Sequence, residues 1–167
     1  MTFVHINDEQ RHSNPVDVRE AIAGFNDWAF ERSTDDEITI AVVGRWSEYN
    51  VSFSWMDEVE SLHLACGFEL AFKSERNQEI LRLLALINEQ MWAGHFEWWR
   101  KDNLVIFRHT LPLAGGVEPA TRQVEAMLEN ALVSCEQYFQ AFQFVLWAGN
   151  DAKDALAAAM FETKGEA

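Results

Sequence analysis

The chain is predicted to fold as an α+β domain, with an antiparallel β-meander and a β-hairpin forming a sheet on which helices pack. Two observations predict this. The stretch from Ser74 to Gly94, SERNQEILRLLALINEQMWAG, is the strongest helix signal in the chain. Ile80, Leu84, Ile87 and Met91 recur at four- and three-residue steps with Leu83 beside them, which draws one apolar face that needs a sheet to lie on. On either side of this helix the period falls to two, so the helix separates two blocks of strands.

The elements follow in order. Residues 1–13 are polar and turn-prone apart from Phe3, Val4 and Ile6, and are expected to be a loose arm. Asn14 is a suitable N-cap, Pro15 suits the first helical position, and Asp17 and Glu20 lie near the positive end. Val18, Ile22 and Phe25, with Ala21 and Trp28, give this first helix one apolar side, and it should end near Asn26 or Asp27. Trp28 to Arg32 is a short candidate strand, and Ser33 to Asp36 reads as a turn. Ile38, Ile40 and Val42 alternate up to Gly44; Tyr49, Val51, Phe53 and Trp55 alternate with Asn50, Ser52 and Ser54. After a turn at Asp57-Glu58, Leu62, Leu64, Cys66, Phe68, Leu70 and Phe72 alternate with smaller or polar residues. Short connections between successive strands predict an antiparallel meander. One face of it is strongly apolar, whereas Thr39, Ala41, Ser52, Ser54, Ser61, His63 and Ala65 make the other small and mildly polar.

In the central helix Ser74 is placed as N-cap, Glu75 in the first turn and Gly94 as a left-handed C-terminal cap. Leu84 falls where this helix should meet the sheet, while Leu81, Leu86 and Trp92 widen the apolar stripe enough to predict a second packing partner. His95 to Arg100 and Leu104 to Leu111 then read as a hairpin around Lys101-Asp102-Asn103, carrying Phe96, Trp98, Trp99 and Phe107. Pro112 ends the hairpin and Pro119 is the expected first residue of a long helix. Val124, Leu128, Ala131, Cys135, Tyr138, Phe142 and Val145 step by four and three along it, a spacing shared by coiled-coil seams and by ordinary packing on a sheet. Gly149-Asn150 breaks this helix, Asp151 caps a final one with Ala155, Leu156, Ala159 and Met160 inward, and the last residues fray. The division is therefore an arm over 1–13, one domain over 14–163 and a frayed C-terminus over 164–167.

Composition narrows the function. Asp and Glu number 27 against 13 Lys and Arg, for a net charge of −14, and such a surface repels nucleic acid and anionic lipid. A basic segment of a partner would be attracted. The N-terminus lacks a basic start followed by an apolar run, and no apolar stretch reaches membrane-spanning length. Cys66 and Cys135 lie in apolar patterns without metal-type spacing, and read as reduced, buried thiols of a cytoplasmic protein.

Catalytic arrangements fare poorly. His63 and Cys66 resemble a base and nucleophile, but their odd spacing on a strand sends them to opposite faces. Ala114-Gly115-Gly116 lacks the strand before it and the Lys-Ser/Thr after it that a phosphate loop requires. The one constellation suited to a metal is His95, Glu97 and His109: a three-residue loop at 101–103 sets the histidines opposite each other with Glu97 on the same face. A slip of one residue separates them. Trp98 and Trp99 face opposite ways on one strand, so one of them needs cover from outside the hairpin's core side, from a helix or from another chain.

The order helix, three or four antiparallel strands, helix, hairpin, helix resembles the chaperones of type III secretion. Local text is more specific: Asp35-Asp36-Glu37-Ile38-Thr39-Ile40 feeding Gly44-Arg45-Trp46, then Leu62-His63-Leu64, Leu83-Leu84-Ala85-Leu86-Ile87-Asn88-Glu89-Gln90, Gly94-His95-Phe96 and Phe107-Arg108-His109. Together these resemble the YbjN-domain family over residues 14–163, a family described as "putative bacterial sensory transduction regulators" and similar in fold to secretion chaperones. The resemblance implies a cytoplasmic, non-enzymatic, dimeric protein without a cofactor, chaperone-like or regulatory, that binds protein segments. The candidate contact residues are Leu86, Trp92, Phe96, Trp98, Trp99 and Phe107; the rival function is a metal-binding or enzymatic domain using His95, Glu97 and His109.

Overall fold

The structure, a computed structural model, describes residues 30–69 and 76–164. The arm over 1–13, the helix starting at Asn14, Trp28, Leu70, Phe72, the Ser74 cap with Glu75, and the terminal Gly165-Glu166-Ala167 lie outside the described residues.

Alternation between apolar and small polar residues produces six strands, all paired antiparallel: β1 (Phe30–Thr34), β2 (Glu37–Val43), β3 (Glu48–Met56), β4 (Ser61–Glu69), β5 (His95–Trp99) and β6 (Leu104–Pro112). The first four form the meander. Spatial order is β1-β2-β3-β4-β6-β5, so the hairpin joins through its second strand and leaves β5 at an edge. Register keeps the apolar set on one face: Ile40 lies opposite Val51, Val51 opposite Cys66, Cys66 opposite Phe107 and Phe107 opposite Phe96. These side chains are all buried.

Helix α1 (Asn77–Gln90) lies on that face with Ile80, Leu83, Leu84 and Ile87 buried, as its periodicity predicts. It stops four residues short of Gly94. Met91 is extended and closes the last turn by donating its N–H to the Asn88 carbonyl, while Gly94, at φ +75°, serves the chain's path into β5. A Cβ at Gly94 would stand 2.2 Å from the Phe107 ring, so the close approach as well as the φ demands glycine.

Helix α2 (Thr121–Gln143) crosses the sheet beside α1, and the four-three stripe from Val124 to Phe142 is buried throughout. Ordinary core packing accounts for it. Phe139 meets the Phe68 ring at 5.2 Å between centroids and Tyr138 meets Phe96 at 5.8 Å, both edge to face. The helix starts two residues after Pro119: Ala120 is the cap, and its N–H is satisfied by the Gln123 side chain. Its C-terminal end widens into a π-helical segment, Phe144–Ala148, before Gly149 reverses the chain at φ +76°. Asp151 then caps α3 (Ala152–Lys164) by accepting the Asp154 N–H at 2.9 Å. The beginning of α1 ties this reversal down. Arg76 donates to the carbonyls of Val145 and Asn150, and Glu79 accepts the Ala152 N–H at 2.9 Å. Carbonyls freed where a helix widens or ends need such partners when buried.

Candidate interaction surface

Trp92, one of the candidate contact residues, sits in the turn joining α1 to β5. Asn88, in the last turn of α1, reaches across to the edge strand. Its side-chain oxygen accepts the Phe96 N–H at 2.8 Å and its amide nitrogen donates to the Phe96 carbonyl at 3.0 Å, so both outward backbone groups of that residue are filled. From the other side Asn130 of α2 donates to the Ala93 carbonyl at 3.1 Å. With Gly94 pressed on Phe107, the turn 91–94 is fixed at three points. Trp92 at its tip is 102% exposed. Nothing within the described chain is gained by holding an indole in water, since burying a large apolar side chain is favourable by roughly 1.5–3 kcal/mol relative to leaving it exposed.

The sheet face away from the helices carries a polar network across β4, β6 and β5. Arg108 is its centre. Its Nε–H donates to His63 Nε2 at 2.8 Å, and a terminal N–H lies 3.2 Å from each oxygen of Glu97. Glu97 also contacts His95 Nε2 at 3.0 Å and accepts the Trp99 indole N–H at 3.0 Å. Burial opposes ionisation of Glu97, but the bonds from His95, Trp99 and Arg108, with the guanidinium charge, hold its pKa down at about 2. His63 is pushed the other way relative to its charged form: burial and then the Arg108 charge lower its pKa, which keeps Nε2 free to accept. This is a self-satisfied ion-pair cluster, without an idle nucleophile or base.

Register separates the histidines expected as metal ligands. The loop has four residues, Arg100 to Asn103, with Asn103 left-handed at φ 52°, so His95 lies opposite Arg108. His109 consequently points to the helix side, where it packs edge-on to Phe107 and burial lowers its pKa. Among the described residues no group of three or more His, Cys, Asp or Glu is arranged to hold a metal. Cys66 and Cys135 are free thiols in the core, their sulfurs 3.5 Å apart, and burial pushes the Cys135 pKa well up.

The six candidate contact residues divide by depth. Phe96 and Phe107 are core residues, 2% and 0% exposed, stacked edge to face with each other; a partner would not touch them, and the expectation that they are contacts is corrected by the burial of that strand face under α1 and α2. Trp98 is on the same side, half-buried against the core with the Arg100 guanidinium over its ring. Trp99 faces the opposite way, 43% exposed beside the Glu97 network, as the alternation of a strand requires. Leu86 is half-buried at a groove of about 530 Å³ between α1 and the start of α3. Trp92 is the most open of all. Asn88 and Arg108 are marked in the sequence only as letters of the family's motifs and Asn130 not at all, because the strand or turn on which each acts is brought near by the tertiary fold.

The fold defines a class: an α+β domain whose six-stranded antiparallel sheet carries the described helices α1 and α2 on one face. The model of the YbjN family, described as "Putative bacterial sensory transduction regulator", matches residues 15–144. The chain belongs to the YbjN family. Among solved structures it is similar to the crystal structure of YbjN, "a putative transcription regulator from E. coli", with a TM-score of 0.52 over 88% of this chain and 93% of that one. At 7% identity that likeness shows the fold alone. No curated protein matches the chain in sequence. No helix among the described residues is long and apolar enough to cross a membrane.

Proposed function

We propose that this chain is a non-enzymatic regulatory module of the bacterial cytoplasm that works by protein contact and acts as a homodimer. The observation that carries the reading is Trp92, an indole held fully in solvent by a turn fixed at three points. Rigid aromatic side chains are favoured at the centres of protein interfaces because little conformational entropy is lost when they are covered. Membership of a family described as regulatory supports the same reading, as does the polar network being closed on itself. Exposed Trp99 and half-buried Leu86 are further candidates for the contact surface.

The test is sedimentation of the full chain at micromolar concentration. A dimer is expected, and Trp92→Ala should raise its dissociation constant about thirtyfold, the effect of a contact worth about 2 kcal/mol. A wild-type chain that remains monomeric overturns the homodimer. A dimer indifferent to Trp92→Ala leaves association standing and removes Trp92 from it.

A further inference from the structure

Sheet and helix meet at sulfur in the middle of the core. The chain has two cysteines, Cys66 in β4 and Cys135 in α2, 69 positions apart in sequence. Both are wholly buried, and the Cys135 S–H points at its counterpart, 3.5 Å from Cys66 Sγ and 3.9 Å from the Cys66 carbonyl oxygen. On the sheet, Cys66 is flanked by Val51 and Phe107; on the helix, Cys135 lies between Ala131 and Tyr138 in the buried stripe. Packing alone asks here for two small apolar side chains, a role that buried cysteine shares with other small residues. It does not ask that the chain's two thiols touch.

We infer that Cys66 and Cys135 are a reversible dithiol pair, which a peroxide closes into a disulfide that fastens α2 to β4. One sulfur, as thiolate, attacks an oxygen of hydrogen peroxide and the O–O bond breaks, giving a sulfenic acid while the thiol's proton ends on the departing oxygen as water. The second sulfur then displaces the sulfenic hydroxyl, which leaves with the second thiol's proton as another water. Two thiols are oxidised by two electrons and the peroxide is reduced to two waters. Contact between the sulfurs makes the second step intramolecular, so it outruns further oxidation of the sulfenic acid. The sulfurs need only close from 3.5 Å to about 2.05 Å. Burial pushes the Cys135 pKa up and close packing keeps solutes out, so reaction waits for α2 to lift locally from the sheet. Closure then removes that motion. The pair lies within one chain and works in monomer and dimer alike.

The experiment treats the reduced full chain with hydrogen peroxide under native conditions, then counts thiols and weighs the intact chain in denaturant. Both thiols should vanish together with the loss of two hydrogens, and dithiothreitol should restore them. Digestion without reductant should join the peptide of Cys66 to that of Cys135 from the same chain. The link should form faster than the chain unfolds globally in the same buffer, because local lifting of α2 suffices. A rate equal to global unfolding would make the link a product of the unfolded chain and overturn the device. Thiols that persist at a peroxide excess able to oxidise the unfolded chain, a sulfinic acid in place of the link, or a link between chains would each overturn it as well. In denaturant the oxidised chain should show a higher midpoint than the reduced one, since the link closes a long loop. A midpoint no higher would mean that the bond strains the core instead of fastening it. Cys66→Ala and Cys135→Ala each leave one thiol without a resolving partner, so dimedone should trap a sulfenic acid in these variants and little in the wild type. Equal trapping in all three would overturn the pairing.

Discussion

Gly44 shows how much a single residue decides on this scaffold. It closes β2, and a Cβ there would stand 2.0 Å from a Glu136 oxygen and 2.3 Å from the Tyr49 ring. Glu136 can swing away, but only by releasing the Arg45 N–H that it accepts at 2.7 Å. Tyr49 cannot, since it is wholly buried and edge-on to Phe68 at 5.9 Å. Burial, and then the carboxylate, also raise the phenol's pKa, so this corner keeps Tyr49 neutral. Gly44→Ala is therefore expected to cost about 1–3 kcal/mol by overpacking. Denaturant titration reads this as a lower midpoint at unchanged slope; stability within error of wild type would show that the β2–β3 turn yields more freely than these contacts imply.

At the scale of elements, the edge of the sheet is the critical place. Asn88 fills both outward backbone groups of Phe96 and so stands where a further strand would otherwise pair. Asn88→Ala leaves a half-buried N–H and carbonyl without their side-chain partner, and should destabilise by roughly 1–3 kcal/mol while speeding hydrogen exchange of the Phe96 amide above all others in β5. Uniform exchange along β5 would mean that the clamp has no local role. Asn88 also marks the limit of what is legible in the chain. Alternation places β2, β3, β4 and the hairpin, and the four-three step places the buried faces of α1 and α2, because both are local periodicities imposed by one apolar side. The hairpin register is not local in this sense. Three or four loop residues both fit the text from Arg100 to Asn103, and the choice between them turns His109 from the face that carries Glu97 to the face on which α1 and α2 lie. Likewise the order β4-β6-β5 and the pairing of Asn88, Asn130 and Arg108 depend on which strand the hairpin meets, which periodicity does not state.

For the whole molecule the governing quantity is a net charge of −14, which any self-association must oppose. A domain of this length has a radius of gyration of about 15 Å, so two centres in contact stand roughly 30 Å apart. In water the unscreened repulsion between two such charges at that distance is on the order of 27 kcal/mol. Screening reduces it to roughly 10 kcal/mol at about 0.01 M ionic strength, where the Debye length is about 30 Å, and to below about 1 kcal/mol at about 0.15 M. Against this, an exposed ion pair between two copies would contribute only about 0.2–1 kcal/mol and weaken modestly with salt. The long-range repulsion thus dominates the salt response. Association of the full chain should consequently tighten as ionic strength rises from low to physiological, then level off once the repulsion is screened and apolar contact at Trp92 and Leu86 remains. Sedimentation equilibrium across a salt series measures this directly. Affinity that instead fell steadily from the lowest salt upward would mean that attraction between charged patches, rather than apolar burial, holds the copies together, and Trp92 would lose its place at the centre of the contact.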